Sequence, residues 1–234
     1  MKLNQKLVLF DVDGTLINRT KKSDFSLYGI ALKKHFKIKN TKQLYCEGTT
    51  DPENLTMYLK ANKIKNPKKH KNFKKAVSDL GNIEKEAQVT GKIKTKKIKN
   101  VEKLIKTLIK EKEITIGLLT GNTVNKAKVK LEKVELWHYF KVGAFSDNVF
   151  ERSKLVNIAI NDAEKKLNEK FNKKNVWLIG DTVKDIQCAK KAKVKIIAMA
   201  TGPENVKQLK KENPDYIFQD FSDVQKIIEI IKTN

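Results

Sequence analysis

Short apolar runs alternate with longer amphipathic segments along most of the chain, and this alternation limits the folds open to it. The compact apolar runs cover residues 7–10, 114–119, 142–145, 176–179, 195–199 and 216–218. Segments with apolar residues at helical spacing lie between them, at residues 101–112, 155–167, 183–191 and 224–231. Runs that are apolar at nearly every position are typical of parallel strands covered on both faces. The alternation therefore predicts an α/β fold built on a doubly wound parallel sheet.

The segment from about residue 18 to residue 89 interrupts this alternation. It contains no convincing strand, and three stretches have helical patterns, at residues 23–36, 52–61 and 67–80. Two of them have proline near the first turn, where a helix tolerates it. We therefore expect residues 18–89 to form a helical cap on a core of residues 1–17 and 90–234. The lysine-rich run at residues 92–99 is interpreted as the returning hinge.

Polar clusters follow three of the predicted strands. They are DVDGT at residues 11–15, LLTGN at residues 118–122 and GDTVKD at residues 180–185. Ligands of open α/β sheets bind at the carboxyl ends of the strands, so these clusters are expected to share one cleft. That cleft would contain four carboxylates and one threonine, from Asp11, Asp13, Thr120, Asp181 and Asp185.

Four carboxylates in a small volume repel one another, and their pKa values rise unless a cation neutralises them. The ligand atoms are hard oxygens, which favour Mg²⁺. One carboxylate can act as a nucleophile, and a second can exchange protons with a leaving oxygen and with water. The backbone N–H groups of Gly14 and Thr15 can hold phosphate oxygens. The residues thus predict magnesium-dependent phosphoryl transfer.

The three clusters, in this order on strand ends, resemble the motifs of the haloacid dehalogenase superfamily of phosphatases. The helical insertion resembles the C1-type cap of that family, and the nearest branch is that of phosphoglycolate phosphatase and β-phosphoglucomutase. The sequence Gly48-Thr49-Thr50-Asp51-Pro52 resembles a cap motif of this branch. Thr49, Thr50 and Asp51 are therefore candidates for substrate specificity, although they could equally be the N-terminal cap of a helix that begins near Pro52.

The resemblance implies a role for each motif carboxylate. Asp11 would be the nucleophile and a magnesium ligand. Asp13 would be the general acid/base and would offer its backbone carbonyl to the metal. Asp181 would bind magnesium, and Asp185 would support the ion directly or through water.

The resemblance also implies the groups that hold the phosphoryl. Thr120, together with the backbone amide of Gly121, would bind it beside Gly14 and Thr15. The family's basic residue before the last motif is less clear, because the usual Lys-Pro signature is absent. Arg152 and Lys154 are the candidates, and Arg152 is favoured because it lies where the next helix should begin.

The formal net charge of +23, from 50 Lys+Arg against 27 Asp+Glu, would attract phosphates or nucleic acid. We favour a compositional origin, because lysine is interleaved with asparagine and isoleucine and no RNA-binding or helix-turn-helix signature is visible. Two cysteines, Cys46 and Cys188, form no disulfide framework, and we expect a soluble cytoplasmic protein without a membrane span.

The sequence thus favours hydrolysis of a small phosphorylated metabolite, with phosphoglycolate as the leading candidate. A phosphosugar mutase and a nucleic-acid-associated phosphatase or binding protein are the alternatives. A dehalogenase is disfavoured, because Asp13 supplies an acid/base group that such an enzyme does not need. The protein is expected to be a monomer or a homodimer.

Overall fold

The computed structural model describes residues 5–22, 25–39, 41, 44 and 48–234. The strands in chain order are β1 Lys6–Phe10, β2 Ile17–Lys21, β3 Ile93–Lys97, β4 Ile114–Leu119, β5 Val142–Ala144, β6 Val176–Gly180, β7 Lys195–Met199 and β8 Tyr216–Phe218. The helices are α1 Leu27–Phe36, α2 Asp51–Ala61, α3 Phe73–Val89, α4 Val101–Lys110, α5 Val124–Glu132, α6 Lys154–Leu167, α7 Val183–Ala192, α8 Val206–Lys210 and α9 Val224–Thr233. Short 3₁₀ turns cover Pro67–Lys69, Trp137–Tyr139 and Lys173–Asn175.

Within the described part of the chain, a six-stranded parallel sheet has the order β5-β4-β1-β6-β7-β8. The doubly wound α/β fold predicted from the alternation is confirmed. Strand β1 lies between β4 and β6, so the three polar clusters leave the sheet side by side. The topology therefore brings distant parts of the sequence to one edge.

Strand β1 is fully buried because helices cover both of its faces. Val8 and Phe10 belong to one apolar cluster, which includes Leu104 of α4 and Ile227 of α9. Leu7 and Leu9 point to the opposite face and pack in a second cluster with α6 and α7. This packing holds the end of β1, and the residues that follow it, in a fixed position.

A ribbon, which is the antiparallel pair of strands β2 and β3, joins the two ends of the inserted region. The prediction that residues 18–89 contain no strand was wrong for β2, and the predicted hinge at residues 92–99 is mostly β3. Each strand carries one buried apolar anchor, Ile17 or Ile93, among polar residues. A single anchor is too little for alternation to reveal a strand in the sequence.

The three helices expected in the insertion are present with shifted bounds. The first begins at Leu27 with Ser26 as its N-cap, and the first two residues predicted for it lie outside the described residues. The third begins at Phe73, after a 3₁₀ turn, and continues to Val89. These helices bury their own apolar side chains, among them Leu32, Leu80 and Ile83. The exact core and cap boundaries stay a prediction.

Helices α5 and α8 were not identified from the sequence. α5 directly follows the LLTGN cluster and packs against α3, so it joins the core to the insertion. Its lysine-rich sequence gave only a weak apolar stripe. Among the described helices, none has the length and apolar character needed to cross a bilayer.

Candidate active site

The loop after β1 places its polar groups against Asp181 at the end of β6. The Thr15 hydroxyl donates a 2.7 Å hydrogen bond to Asp181 Oδ1. Gly14 has a φ of +80°, and a Cβ atom at this position would lie 2.0 Å from Asp181 Oδ2. A larger residue would therefore clash with Asp181, and the left-handed backbone also favours glycine. The DVDGT sequence needs its glycine to let the two strand ends approach.

Three buried aspartates converge at this edge of the sheet. Asp11, Asp181 and Asp185 each offer a carboxylate oxygen, and these oxygens lie within 4.8 Å of one another. Burial raises the pKa of Asp11 to about 7, with Asp185 adding to the rise and Arg152 opposing it. Burial and the charge of Asp11 likewise raise the pKa of Asp181 well above its usual value. Clustered hard oxygens whose ionisation is disfavoured fit a divalent cation such as Mg²⁺.

Arg152 is the basic group of this cluster. Its Nη2 atom lies 3.0 Å from Asp11 Oδ1 and 2.5 Å from Asp185 Oδ1. Burial alone would disfavour its charge, but Asp185 and Asp11 raise the pKa of Arg152. Lys154, the other candidate, has a 69% exposed side chain and lies 3.8 Å from Glu151. The structure thus brings Arg152, and not Lys154, to the aspartates.

Asp13 lies beside the cluster and is held by cations from outside the motifs. Its Oδ2 atom accepts hydrogen bonds from Lys130 Nζ at 2.6 Å and Asn122 Nδ2 at 2.9 Å. Arg19 Nη1 lies 3.5 Å from Asp13 Oδ1. Burial alone would raise the pKa of Asp13, but the charges of Lys130 and Arg19 hold it well below its usual range. These cations therefore favour the ionised form of Asp13 when no substrate is bound.

Lys130 is fully buried between two acceptors. Besides Asp13, its ammonium group donates to Asn122 Oδ1 at 2.7 Å. Burial, and then repulsion from Arg19, lowers the pKa of Lys130 to about 8. A lysine buried in this way must be paired, so it fixes the carboxylate that pairs with it.

Thr120 and Gly121 lie at the end of β4. The buried Thr120 hydroxyl accepts a 2.7 Å hydrogen bond from the Asn122 side chain, which also reaches Asp13. Gly121 lies against the loop before α2, because a Cβ atom there would be 2.4 Å from the Thr49 carbonyl oxygen. The second motif is therefore in contact with both Asp13 and the insertion.

The three candidate specificity residues occupy different environments. Thr49 contacts Lys184 of α7 through its hydroxyl. Thr50 is the N-cap of α2, and its hydroxyl also donates to the Phe150 carbonyl at 2.9 Å. The capping interpretation holds for Thr50, while a role in substrate specificity stays a prediction for all three residues.

Asp51 connects α2 to the core. Its carboxylate accepts hydrogen bonds of 2.6 Å from Lys126 Nζ, 2.6 Å from the Tyr28 hydroxyl and 2.8 Å from the Thr123 amide. The side chain is 2% exposed, so this is a buried ion pair. Removing one partner of such a pair leaves a buried charge without compensation.

A cavity of about 550 Å³ lies between the strand ends and the helices of the insertion. It reaches Asp11, Asp13, Asp181 and Arg152 at one end. The remainder is lined by polar and charged residues together with apolar and aromatic side chains of the insertion, among them Phe25, Leu27, Tyr28, Leu44 and Tyr58. Its size is within the range of pockets that enclose small molecules.

Four residues of this site were not assigned a role from the sequence. They are Arg19, Asn122, Lys126 and Lys130. Lys126 and Lys130 are four residues apart on α5 and thus share one helix face, where both are buried. That spacing was visible in the sequence, but it does not distinguish them in a chain with 50 Lys+Arg.

Comparison with protein families agrees with the fold and the motifs. Residues 8–199 match the family of haloacid dehalogenase-like hydrolases, and the chain belongs to this family. The family predicted from the three motifs is thus confirmed, as is an enzyme of the hydrolase class. No curated protein matches the sequence.

Solved structures with the same fold include proteins whose names belong to the expected branch. A hydrolase from Pseudomonas syringae is 17% identical, with a TM-score of 0.69 over 98% of this chain and 100% of its own. A predicted phosphoglycolate phosphatase from Haemophilus somnus is 19% identical, with a TM-score of 0.64 over 97% and 100%. A provisionally named β-phosphoglucomutase from Thermotoga maritima is 20% identical, with a TM-score of 0.58 over 97% and 99%. At these identities the similarity shows the fold.

Proposed function

We propose that this hydrolase removes the phosphoryl group from a small phosphomonoester through an aspartyl-phosphate on Asp11. One observation carries the proposal: Asp11 lies in a single buried cluster with Asp181, Asp185 and Arg152. A nucleophilic carboxylate needs nearby positive charge when a phosphate dianion approaches. The cluster combines that charge with a set of oxygen ligands for a cation.

Magnesium is the proposed cofactor. Asp11, Asp181 and the backbone carbonyl of Asp13 would hold it, with Asp185 bound directly or through water. When bound, Mg²⁺ neutralises charge between the nucleophile and the phosphoryl oxygens. Arg152 adds a fixed positive charge beside Asp11, since its guanidinium contacts that carboxylate directly.

The reaction has two displacement steps. An Asp11 oxygen attacks phosphorus and the bond to the leaving oxygen breaks. Asp13, which must be protonated once the substrate is bound, gives that oxygen its proton and becomes a carboxylate. Water then attacks the same phosphorus, the bond to Asp11 breaks, and Asp13 takes the proton from water. Gly14, Thr15, Thr120 and Gly121 are proposed to hold the phosphoryl oxygens during both steps.

The proposed substrate class is a small phosphorylated metabolite. Phosphoglycolate is the leading candidate, supported by the resemblance of the motifs and the similarity to the Haemophilus somnus protein. Phosphosugars are the second candidate, supported by the similarity to the Thermotoga maritima protein. The cavity of about 550 Å³ is large enough for either.

The test is release of free phosphate from a panel of phosphorylated metabolites, measured with Mg²⁺ and with a chelator. Asp11→Asn should abolish turnover and keep the fold, while Asp220→Asn, an exposed aspartate, serves as the matched control. Labelled phosphate that returns to a sugar instead of appearing free would identify a mutase. Full turnover by Asp11→Asn would refute the nucleophile assignment.

A further inference from the structure

The loop between β7 and α8 reaches the active site, although none of the three motifs includes it. Strand β7 lies beside β6 in the sheet, so residues 200–205 leave the sheet next to Asp181. Thr201, Gly202 and Pro203 line the same cavity as the aspartates. Ligand sites of open α/β sheets form where loops at the carboxyl ends of the strands meet. This loop is therefore placed to act on the residues that the motifs supply.

Two glycine backbones crowd one oxygen of Asp181. A Cβ atom on Gly202 would lie 1.8 Å from Asp181 Oδ2, and a Cβ atom on Gly14 would lie 2.0 Å from the same oxygen. Both separations are far inside van der Waals contact, so only glycine allows either backbone to approach this carboxylate. The Thr15 hydroxyl holds the other oxygen, Oδ1. The carboxylate is thus confined by segments that are distant in the sequence.

Thr201 connects the two glycine segments. Its hydroxyl donates a 2.6 Å hydrogen bond to the carbonyl oxygen of Gly14. Because Thr201 directly precedes Gly202, this one side-chain hydrogen bond ties the two glycine backbones together. Further along the loop, the Glu204 carboxylate accepts a hydrogen bond from the backbone amide of Val183. The loop is thus attached both to the loop after β1 and to the start of α7.

A carboxylate in this cluster needs such support. Ligand oxygens of Asp11, Asp181 and Asp185 lie within 4.8 Å of one another, and like charges at this distance repel. If Asp181 were free to rotate, turning away would relieve the repulsion, and turning back would then oppose the binding of a cation. Residues that orient a metal ligand typically contribute about 10–100-fold to metal affinity or activity. A clamp on Asp181 is therefore expected to strengthen metal binding.

We propose that Thr201 is a positioning residue for the metal site, because its hydrogen bond to Gly14 keeps both glycines against Asp181 and so holds this carboxylate in place for Mg²⁺. The proposal rests on the proposed function, in which Asp181 binds the cation. It gives the loop after β7 a part in metal binding. Thr201 acts through the backbone of its neighbours and is not itself proposed as a ligand.

The direct test is Mg²⁺ binding to Thr201→Val, measured by calorimetry without substrate. Valine is close to threonine in shape but lacks the hydroxyl. We expect the dissociation constant to rise about tenfold or more, whereas Thr201→Ser, which keeps the hydroxyl, should stay within about threefold of wild type. Thr107→Val, the control, removes a hydroxyl that donates to a backbone carbonyl of α4 away from the cavity, and should leave the affinity unchanged. Equal affinities of Thr201→Val and wild type would overturn the proposal.

A second variant separates positioning from simple support of the fold. Gly202 has no positive φ, so Gly202→Ala disturbs the contact with Asp181 without straining the backbone, and it should also weaken Mg²⁺ binding. A lower free energy of unfolding with unchanged Mg²⁺ affinity, in this variant and in Thr201→Val, would show that the loop only supports the fold and would refute the proposal. If Thr201→Val does not fold, Thr201→Ala is measured instead, and unchanged affinity there is equally decisive against it.

The effect on turnover can be measured with p-nitrophenyl phosphate over a range of Mg²⁺ concentrations. The concentration that gives the half-maximal rate should rise in Thr201→Val by the same factor as the calorimetric constant. A loss of rate that is the same at every Mg²⁺ concentration would contradict the proposal. A wild-type protein that binds no Mg²⁺ would refute the metal assignment of the proposed function and this proposal with it. Normal binding by wild type and Thr201→Val alike would refute the positioning role alone.

Discussion

Replacing Arg152 by methionine tests the electrostatics of the aspartate cluster. The guanidinium lies 3.0 Å from Asp11 and 2.5 Å from Asp185, and its side chain is 9% exposed. Removing one partner of a buried ion pair costs about 3–5 kcal/mol. Since the pKa of Asp11 is already about 7, this carboxyl can take up a proton and reduce the penalty. We therefore expect a loss of about 3 kcal/mol in the free energy of unfolding without metal.

The assay is urea denaturation at neutral pH in a chelator and again with excess Mg²⁺. A divalent cation replaces part of the lost positive charge, so Mg²⁺ should stabilise Arg152→Met more than it stabilises wild type. Lys154→Met is the matched control, because this lysine is 69% exposed and lies 3.8 Å from Glu151, away from the aspartate cluster. A loss below about 0.5 kcal/mol for Arg152→Met, or equal losses for the two variants, would refute the reasoning.

Two further predictions follow from the same cluster. The pKa of Asp11 is raised to about 7 in the folded protein, so its contribution to stability is present below about pH 4 and is lost as pH rises through 7. Urea denaturation of the metal-free protein should show a free energy of unfolding that falls over this pH interval, and Mg²⁺ should remove the fall. A free energy of unfolding that rises over the same interval would contradict the prediction. Gly14→Ala should weaken Mg²⁺ binding, measured by calorimetry, about tenfold or more, because the added Cβ would lie 2.0 Å from Asp181 Oδ2. Gly91→Ala shares the positive φ but meets no described atom within 4 Å, so it should leave Mg²⁺ affinity unchanged, and equal affinity for both variants would refute the steric argument.

The core of the fold could be predicted because its signal is local and repeated. The strands of the sheet are mostly apolar, and Asp11 and Asp181 directly follow β1 and β6. Once the strands are parallel and adjacent, the convergence of Asp11, Asp181 and Asp185 follows from topology. Predicting this convergence requires no knowledge of side-chain packing.

The ribbon and the residues around Asp13 could not be predicted in the same way. β2 and β3 are stabilised by pairing with each other across more than 70 residues of sequence, and their side chains are mostly polar. Lys130 differs from the other lysines only in being buried beside Asp13, which no local pattern reveals. Arg152 could be ranked above Lys154 only by its place before a helix.

Asp51 illustrates a limit of motif resemblance. The resemblance indicated a cap residue concerned with the substrate, whereas its carboxylate oxygens accept hydrogen bonds from Lys126, Tyr28 and Thr123. The motif therefore has a structural use, which is to attach α2 to the core. A specificity role for Thr49, Thr50 and Asp51 stays a prediction.

The most direct measurement is mass spectrometry of the enzyme quenched in acid during turnover of a phosphomonoester with Mg²⁺. The account predicts that one phosphoryl group is found on the peptide that contains Asp11, and that Asp11→Asn shows none. Phosphoryl on another residue, or steady release of phosphate by Asp11→Asn, would contradict it.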